Sequence, residues 1–548
     1  MKALLRFDRH SAPWLILGVT LWITTLSNAA LWGEFASLSL LGNPAGWAFA
    51  VGSGVIIASA LVLVFALFAW RWTLKPVLIM MLMASAFGTY FMLAYGIVID
   101  QSMIVNVMQT DAHEAAALLS PRLALTLLAL GVAPSVAVWR APIRYGAWPA
   151  RAVHNVLLAG LAAGMMVAAG VASFQPLSST MRNHKQVRYL VNPLNAVYAV
   201  GYLAARPLRR DDSVIQPIGE GASAVAAPGG RPPLLVLVVG ETARSGNFGL
   251  NGYARNTTPE LARENVNTFT NAWACGTSTA ASLPCMFSHL GRTGFLARTH
   301  GYEGLLDVVQ RSGMAVLWLD NQSGCKDTCA RVPGVTSSEW KHPTLCDGGE
   351  CLDGVMLEGL DARIAALPAE RRARGVLLVM HQMGSHGPAY WQRSPAPYKR
   401  FLPECTSINL QDCSRASLVN AYDNSIAYTD HMLASTIRWL RTRENTFDTA
   451  MVYVSDHGES LGENNLYLHG LPYSVAPDVQ KHVPWITWLS PGYERRTSVS
   501  TACLAASRDM KLSHDFYFHS VLGLLSIRTP LYRRALDAYA PCASGSPA

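Results

Sequence analysis

The run Leu234-Leu235-Val236-Leu237-Val238-Val239, closed by Gly240-Glu241-Thr242, decides the fold of the second half of the chain. It is apolar throughout, shorter than an ordinary helix, and free of polar alternation. Such a run suits a strand buried on both faces of a sheet. Met314–Leu319, Val376–Met380, Ala450–Val454 and Trp485–Leu489 repeat the pattern. Helical stretches separate them, among them Gly304–Arg311, Leu357–Leu367 and Leu418–Arg441. This alternation predicts an α/β domain with helices on both faces of its sheet.

Ligands of open α/β sheets collect beyond the carboxyl ends of the strands. Glu241 follows the first run, and Asp456-His457 follows Ala450–Val454. His381 follows Val376–Met380, with His386 further along in HQMGSHGP and His469 in NNLYLHG. Carboxylates and imidazoles at three strand ends suit zinc, which takes oxygen and nitrogen donors. Taken singly, each has a plainer reading. Glu241 could favour a helix start, Asp456-His457-Gly458 could be a turn, and a lone histidine is usually packed or on the surface. The shared placement favours the metal.

A nucleophile is sought in Ala274-Cys275-Gly276-Thr277-Ser278-Thr279-Ala280, where three hydroxyls precede a helical stretch. Free N–H groups at a helix start can hold a phosphate. An ordinary N-cap explains the same residues, and spacing does not choose among the hydroxyls. Ser513-His514-Asp515 is not read as a triad, because triad members meet in space rather than in sequence. Ser513 is expected to cap the apolar stretch through Leu525.

The first half has another composition. Of 548 residues, 51% are hydrophobic and 15% charged, and the mean hydropathy is +0.20. Five runs are long enough to cross a bilayer, for which about 20 residues suffice. They are Pro13–Leu31, Ala45–Trp70, Val77–Ile99, Leu123–Trp139 and Val153–Val171; the fourth contains Pro134. The first outruns the roughly 7–15-residue core of a signal peptide. Lys2, Arg6, Arg9, Arg71, Lys75, Arg140, Arg144 and Arg151 fall on one side of these spans. Positive loops stay in the cytoplasm, so the N-terminus is expected inside and the second half outside. Those cations, offset by Asp8, account for most of the net +8, which therefore gives little support to nucleic-acid binding.

All ten cysteines follow the spans, in even number. Disulfides are expected of an oxidising compartment. Near neighbours pair as Cys275–Cys285, Cys325–Cys329, Cys346–Cys351 and Cys405–Cys413, leaving Cys503 with Cys542. A zinc ribbon is the alternative for Cys325, Cys329, Cys346 and Cys351. The expected organisation is a membrane domain over 1–175, a connecting helix and linker over 176–233, and a catalytic domain over 234–548. Within the connector, Met181–Ala205 reads as a helix near the membrane surface and Arg206–Pro233 as a Pro/Gly-rich linker.

The motifs GETAR at 240–244, NFGLNGYARNTTP at 247–259, CGTSTAASLPCMFS at 275–288, GSHGP at 384–388 and SDHGESLGENNLYLHG at 455–470 resemble the lipid A phosphoethanolamine transferases. The mobile colistin-resistance enzymes belong to that family. The resemblance implies five spans and a periplasmic, zinc-dependent domain of alkaline-phosphatase/sulfatase-like fold, in the bacterial inner membrane. It implies that Glu241, Thr279, Asp456 and His457 bind zinc and that Thr279 is the nucleophile. His386 and His469 match histidines that bind a second zinc or contact the phosphoryl group; His381 and Lys326 match polar positions of the site. Asn106, Thr110 and Glu114 match residues that bind the donor headgroup, although their four-residue spacing also suits a wet interfacial helix. Cys325 and Cys329 beside Lys326, and Gln322 where some relatives have Asn, are departures.

The implied reaction moves phosphoethanolamine from phosphatidylethanolamine to a lipid A phosphate through Thr279, lowering affinity for polymyxin. A monomer is expected. Transfer of another headgroup such as phosphoglycerol to a different envelope glycan, and a non-catalytic metal-binding scaffold, are the competing readings. A sulfatase lacks support, because no Cys/Ser-x-Pro-x-Arg pattern surrounds Thr279.

Overall fold

An eight-stranded mixed sheet forms the core of the second half of the chain in the computed structural model. The structure describes residues 11–544, apart from 39, 43, 111–114, 117, 209, 227–228 and 348–349. In chain order the strands are β1 (Pro233–Gly240), β2 (Asn267–Trp273), β3 (Ala315–Asp320), β4 (Gly334–Val335), β5 (Val376–His381), β6 (Asp448–Ser455), β7 (His482–Leu489) and β8 (Leu512–Ser513). They lie in the order β8-β2-β7-β6-β1-β5-β3-β4. Strand β1 is central and parallel to both β5 and β6, whereas β7 runs antiparallel to β6 and β2.

The apolar runs sit where their composition requires. Successive side chains of a strand point to opposite faces. Leu235, Leu237 and Val239 enter one hydrophobic cluster, and Leu234, Val236 and Val238 enter another. Every residue of β1 is buried. The helix Arg415–Arg441 covers one face with Leu418, Tyr422, Ile426, Leu433 and Ile437, and Tyr517–Leu524 packs on the other. Each fully buried large aliphatic side chain contributes roughly 1.5–3 kcal/mol, which favours this placement of the strand at the centre of the sheet.

The chain divides into two units, Met1–Ile104 with Leu119–Ala204, and Val105–Leu118 with Ala205–Ala548. In the first, Gly46–Leu67, Leu74–Tyr95, Pro121–Arg140 and Trp148–Ala172 are long and apolar enough to cross a membrane. The expected span Pro13–Leu31 is built as a pair of helices, Ala12–Thr25 and Ala29–Ser37, long and apolar enough together to cross a membrane but bent by 42°. A polar knot explains the break. Asn28 donates to Ile23 O and Asn192 O and accepts from Asn192 N–H. Asn192 in turn donates to Ser27 O, Ser85 O and Thr89 Oγ1.

Pro134 does not end its helix. A wide π turn at Leu127–Val132 precedes it. Proline has no N–H for the carbonyl four residues back. That carbonyl, Leu130 O, accepts from Trp22 Nε1. The expected helix Met181–Ala205 is broken into Phe174–Asn183, a 3-10 turn at Lys185–Leu190 and Leu194–Ala204. Pro193 accounts for the second break, because it disfavours helical backbone at the residue before it. The Pro/Gly-rich stretch carries two short strands, Asp211–Gln216 and Ser223–Ala224, which pair with His300–Tyr302 and Ile527–Arg528.

Candidate active site

Sheet register builds the site. Val239 lies opposite both His381 and Val454, and Gly240 lies opposite Ser455. Parallel neighbours stand about 4.8 Å apart, so the residues that follow these paired ends are brought together. One ligand atom each from Glu241, Asp456 and His457 lie within 4.8 Å of one another. His457 Nε2 is 3.3 Å from Glu241 Oε1 and 3.4 Å from Asp456 Oδ2, and all three residues are fully buried.

The electrostatics call for a cation. Glu241 Oε1 and Asp456 Oδ2 are buried, and among the described residues only His457 approaches them as a donor. Burial and the Glu241 charge push Asp456 up to about 7. Burial would raise Glu241 as well, but the neighbouring imidazoles His457, His386 and His469 hold it well below the usual carboxylate range. Burial would lower His457, yet the two carboxylates raise it to about 10. Two dry carboxylates thus share one imidazolium. A buried charge is costly unless paired or metal-bound, and this oxygen–nitrogen donor set fits a divalent cation.

The backbone around the cluster is tightly fitted. Thr242 follows Glu241 with φ +52°, a conformation that non-glycine residues rarely adopt. Its carbonyl is held by the Tyr422 hydroxyl. Gly384 (φ +54°) passes so close that a Cβ there would lie 2.7 Å from Glu241 O. Only glycine combines that φ with that approach.

The three hydroxyls left open by spacing now separate. Thr277 Oγ1 donates to Leu471 O, and Ser278 sits at the N-cap of the helix Thr279–Met286 without a side-chain cap bond. Thr279 Oγ1 donates to Glu241 Oε2 at 2.9 Å and stands 3.4 Å from His457 Nε2. The Cys275–Cys285 disulfide closes the turn that carries it. The other four expected pairs also form, and no free cysteine remains.

A small cavity opens over Thr279, lined also by Asn106, Thr110, Lys326, His386 and His469. The His469 ring lies 4.3 Å from that of His457 and 6.0 Å from that of His386. Lys326 Nζ donates to Ser323 O and Oγ and reaches Gln109 O at 3.4 Å. Asn106 lies on the helix Gln101–Gln109, and Thr110 Oγ1 donates to Asn106 O. Glu114 falls outside the described residues. His381 is fully buried at the end of β5, with Nδ1 3.3 Å from Asp320 Oδ2.

Sequence reasoning missed two groups. Gln322 donates to Glu241 Oε2, so a departure expected to lie clear of the zinc core touches it. His514 forms no triad. Its Nδ1 accepts from Cys275 N–H, its Nε2 bonds Ser455 O, and its neighbour Asp515 accepts from Arg292 N–H instead. It ties the Thr279 turn to the strand that leads to Asp456. Burial pushes it down to about 3, so it stays neutral.

A doubly covered sheet with this cluster at its strand ends defines an alkaline-phosphatase/sulfatase-like domain, here on a chain that also carries membrane-length apolar helices. Residues 233–527 match the sulfatase family model, and residues 57–208 match that of the phosphoethanolamine transferases EptA/EptB. The chain is 40% identical over 500 residues to phosphoethanolamine transferase EptA of Salmonella typhimurium, covering 89% of each. It is 36% identical over 534 residues to phosphatidylethanolamine transferase Mcr-1 of Escherichia coli, covering 95% of this chain and 96% of that one. The integral membrane lipooligosaccharide phosphoethanolamine transferase A (EptA) from Neisseria meningitidis matches with TM-score 0.91 at 34% identity, over 98% and 99% of the two chains. The chain belongs to the phosphoethanolamine transferase family.

Proposed function

We propose that this protein transfers phosphoethanolamine from phosphatidylethanolamine to a phosphate of lipid A, with Thr279 as the nucleophile. The observation that carries the reading is the bond from Thr279 Oγ1 to Glu241 Oε2, at the edge of the buried carboxylate–imidazole cluster. Zinc, held by Glu241, Thr279, Asp456 and His457, would lower the pKa of the hydroxyl and offset charge on the phosphoryl oxygens.

The chain's own groups then divide the work. Thr279 Oγ attacks phosphorus, forming an O–P bond and breaking the bond to the glycerol oxygen. Glu241 takes the hydroxyl proton. Diacylglycerol leaves with a proton from His386 or His469, both on the cavity wall. A lipid A phosphate oxygen next attacks the phosphothreonine and gives its proton to the histidine that lost one, while the bond from phosphorus to Thr279 Oγ1 breaks and Thr279 recovers its own proton from Glu241. Lys326 offers a cation to the donor phosphate, and Asn106, Thr110 and Glu114 hold the headgroup.

Five disulfides suit an oxidising periplasm, and the basic loops suit a cytoplasmic N-terminus in the inner membrane. We read the working form as a monomer. Adding an amine to an anionic lipid weakens its attraction for cationic peptides such as polymyxin. Mass spectrometry of lipid A from cells making the wild type or Thr279→Ala tests the reading. A phosphoethanolamine increment with the wild type alone is expected. An increment that survives Thr279→Ala removes Thr279 as nucleophile, and a different added mass points to another headgroup.

A further inference from the structure

Among the described residues Asp320 makes no hydrogen bond to Glu241, Asp456 or His457, yet it is 3% exposed and its carboxylate holds four hydrogen bonds. Its two oxygens serve different neighbours. Oδ1 accepts the backbone N–H of Gln322 at 2.9 Å and of Gly324 at 3.3 Å. Oδ2 accepts Trp318 Nε1–H at 2.8 Å and faces His381 Nδ1 at 3.3 Å. Asp320 and His381 are opposite one another in the register of β3 and β5, so the pair is built on rigid strands rather than loops.

The other nitrogen of His381 is the telling atom. Nε2 is buried and has no hydrogen-bond partner among the described residues. A dry polar atom left unpaired costs about 1–3 kcal/mol, which a folded chain tolerates where a ligand supplies the missing contact. A carboxylate on Nδ1 fixes the tautomer and the ring plane, and so fixes where Nε2 stands.

We propose that Asp320 is a positioning residue for the transfer reaction: through Oδ2 it locks His381 so that Nε2 meets the ligand or phosphoryl group held in the site. This rests on the proposed transferase function and adds a residue to it. Asp320→Asn is the discriminating change. Its carbonyl can still accept from Gln322 and Gly324, while its amide presents N–H to His381 Nδ1, where the aspartate accepted.

The test uses the full chain in detergent with phosphatidylethanolamine and lipid A, following product mass. Transfer by the wild type is checked first; its failure counts against the proposed function and is read before any variant. Asp320→Asn is expected to lower kcat about 10–100-fold, the usual effect of losing such a partner, with donor KM changed less than about threefold. In a His381→Ala background the same substitution is expected to cost less than about threefold. Equal losses in both backgrounds, or no loss in either, overturn the proposal. Trp318→Phe removes the other donor to Oδ2 and guards against misfolding of Asp320→Asn. It is expected to keep at least a third of the wild-type kcat; a loss beyond tenfold would assign the role of Asp320 to the Trp318 bond and overturn the proposal.

Discussion

Thr279 Oγ1 donates to Glu241 Oε2 across 2.9 Å, although 38 residues separate the two in the chain. One is delivered by a disulfide-closed turn and the other by the end of the central strand. Thr279→Ala is expected to abolish transfer while changing stability by no more than about 1 kcal/mol, since it removes a single hydroxyl bond. Thr279→Ser keeps the oxygen and is expected to keep measurable activity. Comparable rates for the alanine and serine variants would remove the nucleophile assignment.

Metal removal should show in stability as well as in rate. Without a cation, Glu241 and Asp456 face each other in a dry site, and burial together with the Glu241 charge raises Asp456 to about 7. Exhaustive chelation is expected to stop transfer and lower Tm. In the chelated state Asp456→Asn should melt above the wild type, because it removes one of two mutually repelling carboxylates. With zinc present the order should reverse. Full activity after chelation would remove the metal from the mechanism.

The strands that carry this chemistry were legible because burial on both faces leaves an uninterrupted apolar run. Strand β2, Asn-Thr-Phe-Thr-Asn-Ala-Trp at 267–273, was not, because it is only partly buried and mixes polar with apolar residues. Glu241, Asp456 and His457 were legible from their places after strands. Choosing Thr279 from the residues alone was not possible, since Thr277 and Ser278 are chemically equivalent until their partners are known. The break in the first span escaped for a different reason: Asn28 is held by Asn192, 164 residues away. His514 could be excluded from a triad by spacing, but its bonds to Cys275 and Ser455 cross the sheet.

His514 gives the protein a pH-dependent weakness. Burial holds it near 3, below the 6.5 of an unfolded imidazole. Above pH 6.5 both states are neutral and nothing is lost. As pH falls below 6.5 the unfolded chain takes up a proton that the folded chain refuses, so the stability contribution declines toward pH 3. The slope is about 1.4 kcal/mol per unit. His514→Gln cannot titrate, so its deficit against the wild type should shrink by about 2 kcal/mol between pH 6.5 and pH 5. Chemical denaturation of both chains at the two pH values checks this; a constant deficit would mean that His514 is not held neutral.

Lys326 should act on donor binding. It sits at φ +47° and Asp327 at φ +68°, in a short loop closed by Cys325–Cys329. Lys326→Ala is expected to raise the KM for phosphatidylethanolamine about tenfold with a smaller change in kcat, the signature of lost ground-state binding. Replacing Cys325 and Cys329 together by Ser frees the loop and should move KM the same way, less steeply. Replacing Cys405 and Cys413, whose loop gives the cavity none of its described lining residues, should leave KM alone. Loss confined to kcat in Lys326→Ala would place the lysine in the chemical step.

Gly88 tests the polar knot of the membrane unit. A Cβ there would lie 2.5 Å from Asn192 Oδ1 and 3.0 Å from its Cγ, so Asn192 must move. Moving it strains its bonds to Ser85 O and Thr89 Oγ1. Overpacking of this kind costs about 1–3 kcal/mol. Gly160 lies on another apolar helix, where nothing among the described residues comes within 4 Å of its Cβ position. There alanine should stabilise slightly, since it is the better helix former. Thermal melting of the full chain in detergent should therefore show Gly88→Ala below the wild type and Gly160→Ala at or above it. Equal Tm values for the two variants would mean that Asn28 and Asn192 contribute no measurable rigidity to the break in the first span.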